Sequence, residues 1–374
     1  MSWIKKITWL FLYFIYIFVS VFLLLEIFFR FLPVSDSLEV MSVNEDNPII
    51  HFQPNRTVTR QIGFNFNHVN EKRINNFGYA TDIDFKATKP KESKVVAVIG
   101  DSYVEALQVA NQDSFHGLIQ HNIDDLVLYP ISMSGSPLSQ YLAFINFASI
   151  NFDPDIYLLV LIDNDFDRSW EMIQGSHGFH YFTKNGHIER KDYQPSLIKH
   201  ILRKSAFVRY LYLDLKITTQ AKLIMNRIFG KEEDRYYINI NLNNRRFFRD
   251  QKEKDKVESL GHKAAELFLE QIEKISLDKE VIVLLDGDRE SIYSNRSERD
   301  KGMLSNRWFN TIIRNLEHHQ RIKLVDMHPI FLNDWQLNSK KFNYDYDFHW
   351  NEHGHSVVAK TLTSTLKEIQ DKSE

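Results

Sequence analysis

Short apolar runs alternate with amphipathic stretches along most of the chain. Each run is bounded by Gly, Pro or Asp, which is typical of β-strands. The runs occupy residues 95–99, 125–131, 155–162, 280–286 and 322–327. In the first run every side chain is apolar, which indicates a strand buried on both faces. Residues 251–275 instead place their apolar side chains on one helical face. Strands that alternate with helices predict a parallel sheet with helices on both faces.

The N-terminal segment follows a different pattern. After two lysines, residues 7–25 contain no charged side chain, and a helix of this length spans about 29 Å, the thickness of the hydrocarbon layer. A cleaved signal peptide has a shorter apolar region and a small-x-small site, whereas Glu26 and Arg30 follow here. A buried core helix is the alternative, but hydrophobicity on all sides disfavours it. We therefore predict an uncleaved signal anchor in residues 1–33, with one transmembrane helix.

The charges on either side of this segment indicate its orientation. Two lysines precede it, and Asp36, Glu39 and Glu45 follow it. Because basic flanks tend to stay in the cytoplasm, we expect a single-pass protein of the cytoplasmic (inner) membrane, held by residues 7–32. The rest of the chain then lies on the periplasmic or extracytoplasmic side.

The remaining chain divides into two segments. Residues 34–93 are polar and rich in Asn, and we interpret them as a linker with an accessory β segment. Residues 94–374 form the predicted α/β domain, with a helical and hairpin insertion at about 166–250.

The insertion carries two local signals. Asn185-Gly186 between β-like runs predicts a tight hairpin. Residues 199–249 contain 12 Lys/Arg against 4 Asp/Glu, with aromatic and aliphatic residues interleaved. This pattern is compatible with a cap that meets anionic glycan or the membrane surface. An ordinary solvated helical face is the alternative.

Composition excludes several functions. The chain has 374 residues, 43% hydrophobic and 25% charged, as in globular proteins. Its formal net charge is −3, so nothing favours nucleic acid as a partner. There is no cysteine, which excludes disulfides, thiol catalysis and cysteine-ligated zinc.

Polar residues follow three of the predicted strands and recur near the C-terminus. Asp101 and Ser102 follow the first strand, Gly135 lies in a turn after the second, and Asn164 follows the third. Acids and histidines recur in "DYDFHWNEHGH", residues 345–355. Ligands of open α/β sheets bind at the carboxyl ends of the strands. We therefore expect these residues to lie at one edge of the sheet.

This set of side chains suits nucleophilic catalysis. A serine hydroxyl attacks only when a base takes its proton, and an acid must hold that base in one tautomer. Ser102 is the candidate nucleophile, His349 the base and Asp347 the acid that orients it. The oxyanion of the transition state needs hydrogen-bond donors. The backbone amides of Ser102 and Gly135 and the side-chain amide of Asn164 are the candidates.

Four short motifs occur in a fixed order. They are "IGDSY" at 99–103, "SGSP" at 134–137, "DND" at 163–165 and "DFHWNEHGH" at 347–355. Together they resemble the four blocks of the SGNH/GDSL hydrolase family, which carry Ser, Gly, Asn and His. The resemblance runs from about Lys94 to the C-terminus and excludes much of the insertion. It implies a flavodoxin-like three-layer α/β/α fold, and ester hydrolysis or acyl transfer through an acyl-serine without a cofactor.

The last block departs from the pattern of many esterases in the family. They place Asp three residues before the His, and Tyr346 occupies that position here. The spacing Asp347-x-His349-Trp350 instead resembles a signature of membrane-associated proteins that O-acetylate exopolysaccharides such as alginate. Asp345 is a second candidate for orienting the histidine.

Two further acids flank the candidate site residues. Asp101 is suited to fixing the turn after the first strand through backbone hydrogen bonds. Asp163 stands where the third block often has Gly. A carboxylate beside the oxyanion would oppose its charge, so we expect the side chain of Asp163 to point away.

The histidines near the C-terminus also raise the question of a metal site. His349, His353 and His355 lie close in sequence to Asp345 and Asp347. The family block accounts for this segment as the start of the last helix, so we expect no metal and assign His355 to capping or packing.

These observations favour a membrane-anchored serine esterase or O-acyltransferase. Its expected substrate is an acylated saccharide or polysaccharide outside the cytoplasm, and its acyl group is expected to be acetyl. The sequence leaves open whether a membrane-embedded partner supplies the acyl donor. Two alternatives remain: a non-catalytic glycan-binding or assembly subunit with the same fold, and a lipase-like enzyme at the membrane surface.

Overall fold

The computed structural model describes residues 3–90, 93–218, 221, 225, 250–345 and 347–371. The chain forms two compact units. The first unit comprises Met1–Ser37, Val58–Asn70 and Pro195–Phe247. The second unit comprises Leu38–Thr57, Glu71–Gln194 and Phe248–Glu374.

The elements are numbered in chain order. The strands are β1 (Arg56–Ile62), β2 (His68–Ile74), β3 (Lys94–Gly100), β4 (Leu126–Ser132), β5 (Ile156–Leu161), β6 (His180–Phe182), β7 (Ile188–Arg190), β8 (Glu280–Leu285), β9 (Ile322–Asp326), β10 (Asn343–Tyr344) and β11 (Asp347–Trp350). The helices are α1 (Trp3–Arg30), α2 (Ser102–Glu105), α3 (Phe115–Asn122), α4 (Leu138–Phe152), α5 (Leu197–Leu202), α6 (Ala206–Arg209), α7 (Gln251–Ile275), α8 (Arg289–Tyr293), α9 (Leu304–Leu316), α10 (Met327–Asn338) and α11 (Glu352–Asp371).

A five-stranded parallel sheet forms the centre of the second unit. Its strand order is β4-β3-β5-β8-β9, and every neighbouring pair is parallel. Counted along the chain, this is the order 2-1-3-4-5 of flavodoxin-like sheets. The predicted strands and the predicted fold class are therefore confirmed.

Helices cover both faces of this sheet. The apolar side chains of α3, α10 and α11 pack against one face, in a cluster that includes Val96, Leu158 and Ile282. On the other side α4 contacts β3 and packs on α7, where the rings of Tyr141 and Phe268 lie 6.5 Å apart. The three layers bury β3 completely from Val95 to Gly100, which explains its unbroken apolar sequence.

The register of the sheet places the ends of three strands together. Gly100 at the end of β3 pairs with Ser132 at the end of β4, and Ile99 pairs with Leu159 near the end of β5. Parallel strands leave their carboxyl ends at one edge. The segments that follow β3, β4 and β5 therefore begin side by side.

The insertion begins with the predicted hairpin. Strands β6 and β7 pair antiparallel, and Gly186 between them has φ of +81°, a left-handed conformation that favours glycine. Helices α5 and α6 follow in the first unit. Most of the basic stretch 199–249 lies outside the described residues.

The N-terminal helix α1 has 28 residues, and none of them is buried. Among the described residues it is the one helix that is long and apolar enough to cross a membrane.

Candidate active site

Ser102 begins α2 directly after the turn that ends β3. Gly100 is required in this turn, because a Cβ at its position would lie 2.3 Å from Cγ2 of Val104. Asp101 caps the helix, with its Oδ1 accepting a hydrogen bond from the Tyr103 amide at 2.9 Å. Its Oδ2 lies 3.2 Å from Oγ of Ser102. Burial raises the pKa of Asp101 above its usual value, although these hydrogen bonds lower it.

The side chains of Ser102, His349 and Asp347 form a continuous hydrogen-bonded chain. Nε2 of His349 lies 2.7 Å from Oγ of Ser102. Nδ1 of His349 lies 2.5 Å from Oδ1 of Asp347, which also accepts the His349 amide at 2.9 Å. Strand β11 carries both residues, and they are separated from Ser102 by about 245 positions. This order of groups suits proton transfer from a serine hydroxyl to a histidine that a carboxylate orients.

The structure does not bring Asp345 to the histidine. Its carboxylate pairs with Nζ of Lys341 at 2.6 Å, and 79% of the side chain is exposed. Of the two acids that the sequence offers as partners of His349, the contact is made by Asp347.

Gly135 lies in the turn that follows β4. Its φ of +80° is strained for other residues, and the space beyond its Cα is open. The Ser134 hydroxyl before it donates a hydrogen bond to the carboxylate of Glu105, the last residue of α2. The helix that carries Ser102 is thereby joined to the turn that carries Gly135.

Asn164 follows β5 and contacts two charged side chains. We assign its amide so that the oxygen accepts from Nη1 of Arg168 at 2.9 Å and the nitrogen donates to Oδ1 of Asp163 at 3.2 Å, because only this orientation pairs both atoms. Asp163 therefore does not point away from Asn164, and our expectation for its side chain is wrong. Burial and the nearby Asp286 raise the pKa of Asp163 to about 6.

Asp165 is held inside the protein by hydrogen bonds to its carboxylate. It is fully buried and accepts hydrogen bonds from the Ile162 amide at 2.7 Å and the Tyr141 hydroxyl at 2.9 Å. Burial raises the pKa of Asp165 well above its usual value. Its contacts hold the turn after β5 in place.

A second series of hydrogen bonds connects the chain neighbours of Ser102 and His349. Asp286, which follows β8, accepts from Nε1 of Trp350 at 3.0 Å and pairs with Arg289 at 3.1 Å. Nη2 of Arg289 donates to the Tyr103 hydroxyl at 2.6 Å. That hydroxyl donates to the Phe348 carbonyl at 2.8 Å. The neighbour of Ser102 is thus tied to the neighbour of His349.

The protonation states of Tyr103 and Arg289 preserve this second series of hydrogen bonds. Burial raises the pKa of the Tyr103 hydroxyl well above its usual value, so the group stays protonated and can donate. Burial alone would lower the pKa of Arg289, but Asp286 and Tyr103 raise it above its usual value. We did not predict this network, although the rule that directs attention to strand ends applies equally to Asp286 after β8.

Lys72 holds the far end of α2. It lies on β2, is fully buried, and donates to the carbonyls of Ala106 and Val109, both at 2.9 Å. Burial lowers the pKa of Lys72 to about 7. Ala106 has φ of +50°, so this lysine stabilises a left-handed turn just after the helix that begins with Ser102.

The other two histidines of the last block are engaged elsewhere. Nε2 of His353 contacts Asp334 at 2.6 Å, and Nδ1 of the buried His355 accepts from the Phe115 amide at 3.2 Å. In the part of the chain that the structure describes, no group of three His, Cys, Asp or Glu side chains has the arrangement of a metal site.

The sheet and the aligned side chains define the class of protein: a doubly wound α/β protein in which a serine, a histidine and an aspartate are hydrogen-bonded in series at the carboxyl edge of the sheet. No protein-family model matches the chain, and no curated protein sequence matches it.

Several solved structures are similar in fold. A member of the lipolytic protein G-D-S-L family from Veillonella parvula DSM 2008 is 12% identical, and the match covers 72% of this chain and 95% of that chain with a TM-score of 0.38. The acetyl xylan esterase AlAXEase is 14% identical over 72% of this chain and 98% of its own, with a TM-score of 0.41. A family two carbohydrate esterase from Clostridium thermocellum in complex with cellohexaose is 11% identical over 75% of this chain and 66% of its own, with a TM-score of 0.37.

The hydroxyl of Tyr103 is expected to affect the reactivity of Ser102. Tyr103→Phe removes the bond to Phe348 and leaves a buried donor of Arg289 without its acceptor, which costs about 1–3 kcal/mol of stability. We expect the rate at which a fluorophosphonate labels Ser102 to fall about tenfold or more. Tyr129→Phe is the control, because it also removes a buried tyrosine hydroxyl, the acceptor for the Lys86 amide at 3.1 Å. Equal labelling rates for the two variants would contradict the positioning role of Tyr103.

Asp163 is expected to make stability depend on pH. Its folded pKa of about 6 lies above its usual value of 3.8, so the folded state binds the proton more tightly, and stability is lost as pH rises through 6. Asp163→Asn keeps the acceptor for Asn164 and stays neutral. We expect this variant to be more stable than the wild type by about 1–3 kcal/mol at pH 8 and equally stable near pH 4. Thermal unfolding of the full chain in detergent measures this, and a variant that is no more stable at pH 8 would contradict it.

Proposed function

We propose that the chain is a membrane-anchored serine esterase or O-acyltransferase that acts on an acyl ester, most simply an acetyl ester, of a saccharide outside the cytoplasm. The observation that carries this proposal is the chain of contacts from Ser102 Oγ to His349 Nε2 at 2.7 Å and from His349 Nδ1 to Asp347 at 2.5 Å. A serine with a positioned base and a carboxylate that orients this base is the arrangement that acyl transfer requires.

The first half of the reaction forms an acyl-enzyme. Ser102 Oγ attacks the ester carbonyl while Nε2 of His349 takes the hydroxyl proton, and Asp347 stabilises the imidazolium. The carbonyl oxygen becomes an oxyanion, for which the amides of Ser102 and Gly135 and the side chain of Asn164 are the proposed donors. The C–O bond then breaks, and the leaving alcohol receives the proton from His349.

The second half releases the acyl group. Water or a saccharide hydroxyl loses its proton to His349 and attacks the acyl carbonyl. The tetrahedral intermediate collapses, and the proton returns to Ser102. Water gives hydrolysis and a saccharide gives transfer, and both use the same residues. A membrane-embedded protein that supplies the acyl donor is a partner only for transfer.

Two features support a saccharide outside the cytoplasm. The first is the Asp347-x-His349-Trp350 spacing, which resembles that of exopolysaccharide O-acetylation proteins. The second is α1, which we propose as an uncleaved anchor with two lysines on its cytoplasmic side.

The two acids of the last block provide a matched test. Asp347→Asn keeps the size of the side chain but cannot hold the histidine in the required tautomer or stabilise the imidazolium, so we expect kcat for an acetyl ester to fall about 10²–10⁴-fold. Asp345→Asn changes an exposed acid two residues away and is expected to change kcat less than twofold. Hydrolysis of p-nitrophenyl acetate by the full chain in detergent measures both.

Ser102→Ala is the reference for complete loss, with an expected fall of about 10³-fold or more. If Asp345→Asn impaired turnover and Asp347→Asn did not, the assignment of the acid would be wrong. If the wild type did not turn over any acyl ester, and no fluorophosphonate labelled Ser102, the chain would be a non-catalytic subunit.

If the wild type does turn over an acetyl ester, oligosaccharides are added as acceptors. A transferase acetylates these oligosaccharides, and an esterase does not.

A further inference from the structure

Helix α5 in the first unit exposes all of its apolar side chains. Leu197, Ile198, Ile201 and Leu202 are 73%, 70%, 59% and 50% exposed. They are spaced one, three and four residues apart, so they form a single strip on the helix. A contiguous apolar strip on a short surface helix is costly in water and indicates an interaction site.

Direct contacts hold the chain just after α5 against α1. The carboxylate of Glu26 accepts hydrogen bonds from the Ser205 hydroxyl at 2.6 Å and from the amides of Ala206 and Phe207, both at 3.1 Å. The ring of Phe207 lies 5.4 Å from that of Phe29. All of these residues belong to the first unit. Helix α5 ends three residues before Ser205 and is therefore held beside the last turns of α1.

The position of Glu26 along α1 determines the depth of these contacts relative to the membrane. The uncharged segment 7–25 is as long as the hydrocarbon layer is thick, about 29 Å, and Glu26 is the first charged residue after it. A helix that spans the membrane with this segment brings Glu26 to the boundary between hydrocarbon and headgroups. Ser205 and the end of α5 then lie at the same boundary.

The charges around the strip suit a lipid surface. Lys199, Arg203 and Lys204 lie within or directly after α5, and Lys199 and Lys204 are exposed. Apolar side chains beside basic ones are typical of helices that lie in the membrane interface, where the basic groups attract anionic headgroups.

We propose that α5 is a second membrane contact, with Leu197, Ile198, Ile201 and Leu202 buried among the lipids next to the point where α1 leaves the bilayer. Through α5, the insertion then attaches the first unit to the membrane surface at a second point. This proposal requires α1 to span the membrane and is independent of the chemistry at Ser102.

The absence of cysteine from the chain makes a direct test simple. Ile201→Cys and Lys199→Cys are made separately in the full chain, labelled with an environment-sensitive fluorophore, and reconstituted into vesicles of phosphatidylethanolamine and phosphatidylglycerol. The two positions lie on opposite faces of α5, and both are exposed, so neither change should prevent folding. Quenching by brominated lipid reports contact with acyl chains, and quenching by iodide reports contact with water.

We expect lipid quenching at position 201 to exceed that at position 199 at least twofold, with iodide quenching in the reverse order. Strong iodide quenching at both positions would overturn the proposal, because α5 would then face water. Protection of position 201 from both quenchers would also overturn it, because protein would then cover the strip. A Leu197→Ser, Ile198→Ser double variant that abolishes the lipid quenching at position 201 while retaining the thermal unfolding transition of the parent protein would support it.

Discussion

The contact between the Ser102 hydroxyl and the His349 imidazole is the constraint on which the rest of the site depends. Without the imidazole at 2.7 Å the hydroxyl is an ordinary helix-terminal side chain. The contact joins two stretches that are far apart in the chain. Its geometry is therefore set by the sheet and by the side chains that tie α2 to β11.

The sheet supplies the first part of that geometry. The parallel register brings the ends of β3 and β4 level with each other, and Asp286 follows β8 at the same edge. Side chains supply the second part. Asp286 and Arg289 hold Tyr103, Tyr103 holds the Phe348 carbonyl, and the packing of Trp350 against the Tyr103 ring at 5.0 Å completes the connection. The histidine is thus positioned by contacts on both of its chain neighbours.

Much of this arrangement was accessible from the sequence. The apolar runs located the five strands, and the residues that the structure aligns, Ser102, His349 and Asp347, are those that the motifs single out. The partner of His349 was ambiguous, because Asp345 and Asp347 are two residues apart and only the path of β11 shows which one meets the ring. The predicted orientation of the Asp163 side chain was wrong. The prediction considered only charge repulsion and omitted the hydrogen bond that the Asn164 amide donates to this carboxylate. The Asp286–Arg289–Tyr103 network joins distant positions through side chains, and no local pattern marks it.

Trapping the covalent intermediate tests the proposed role of Ser102 most directly. The full chain is mixed with an acetyl ester, quenched in acid during turnover and digested, and the peptides are analysed by mass spectrometry. We expect one added acetyl group on the peptide that contains Ser102, located on Ser102 by fragmentation and absent from the His349→Ala variant. Turnover with no acetyl group on Ser102, or with the group on another residue, would contradict this role.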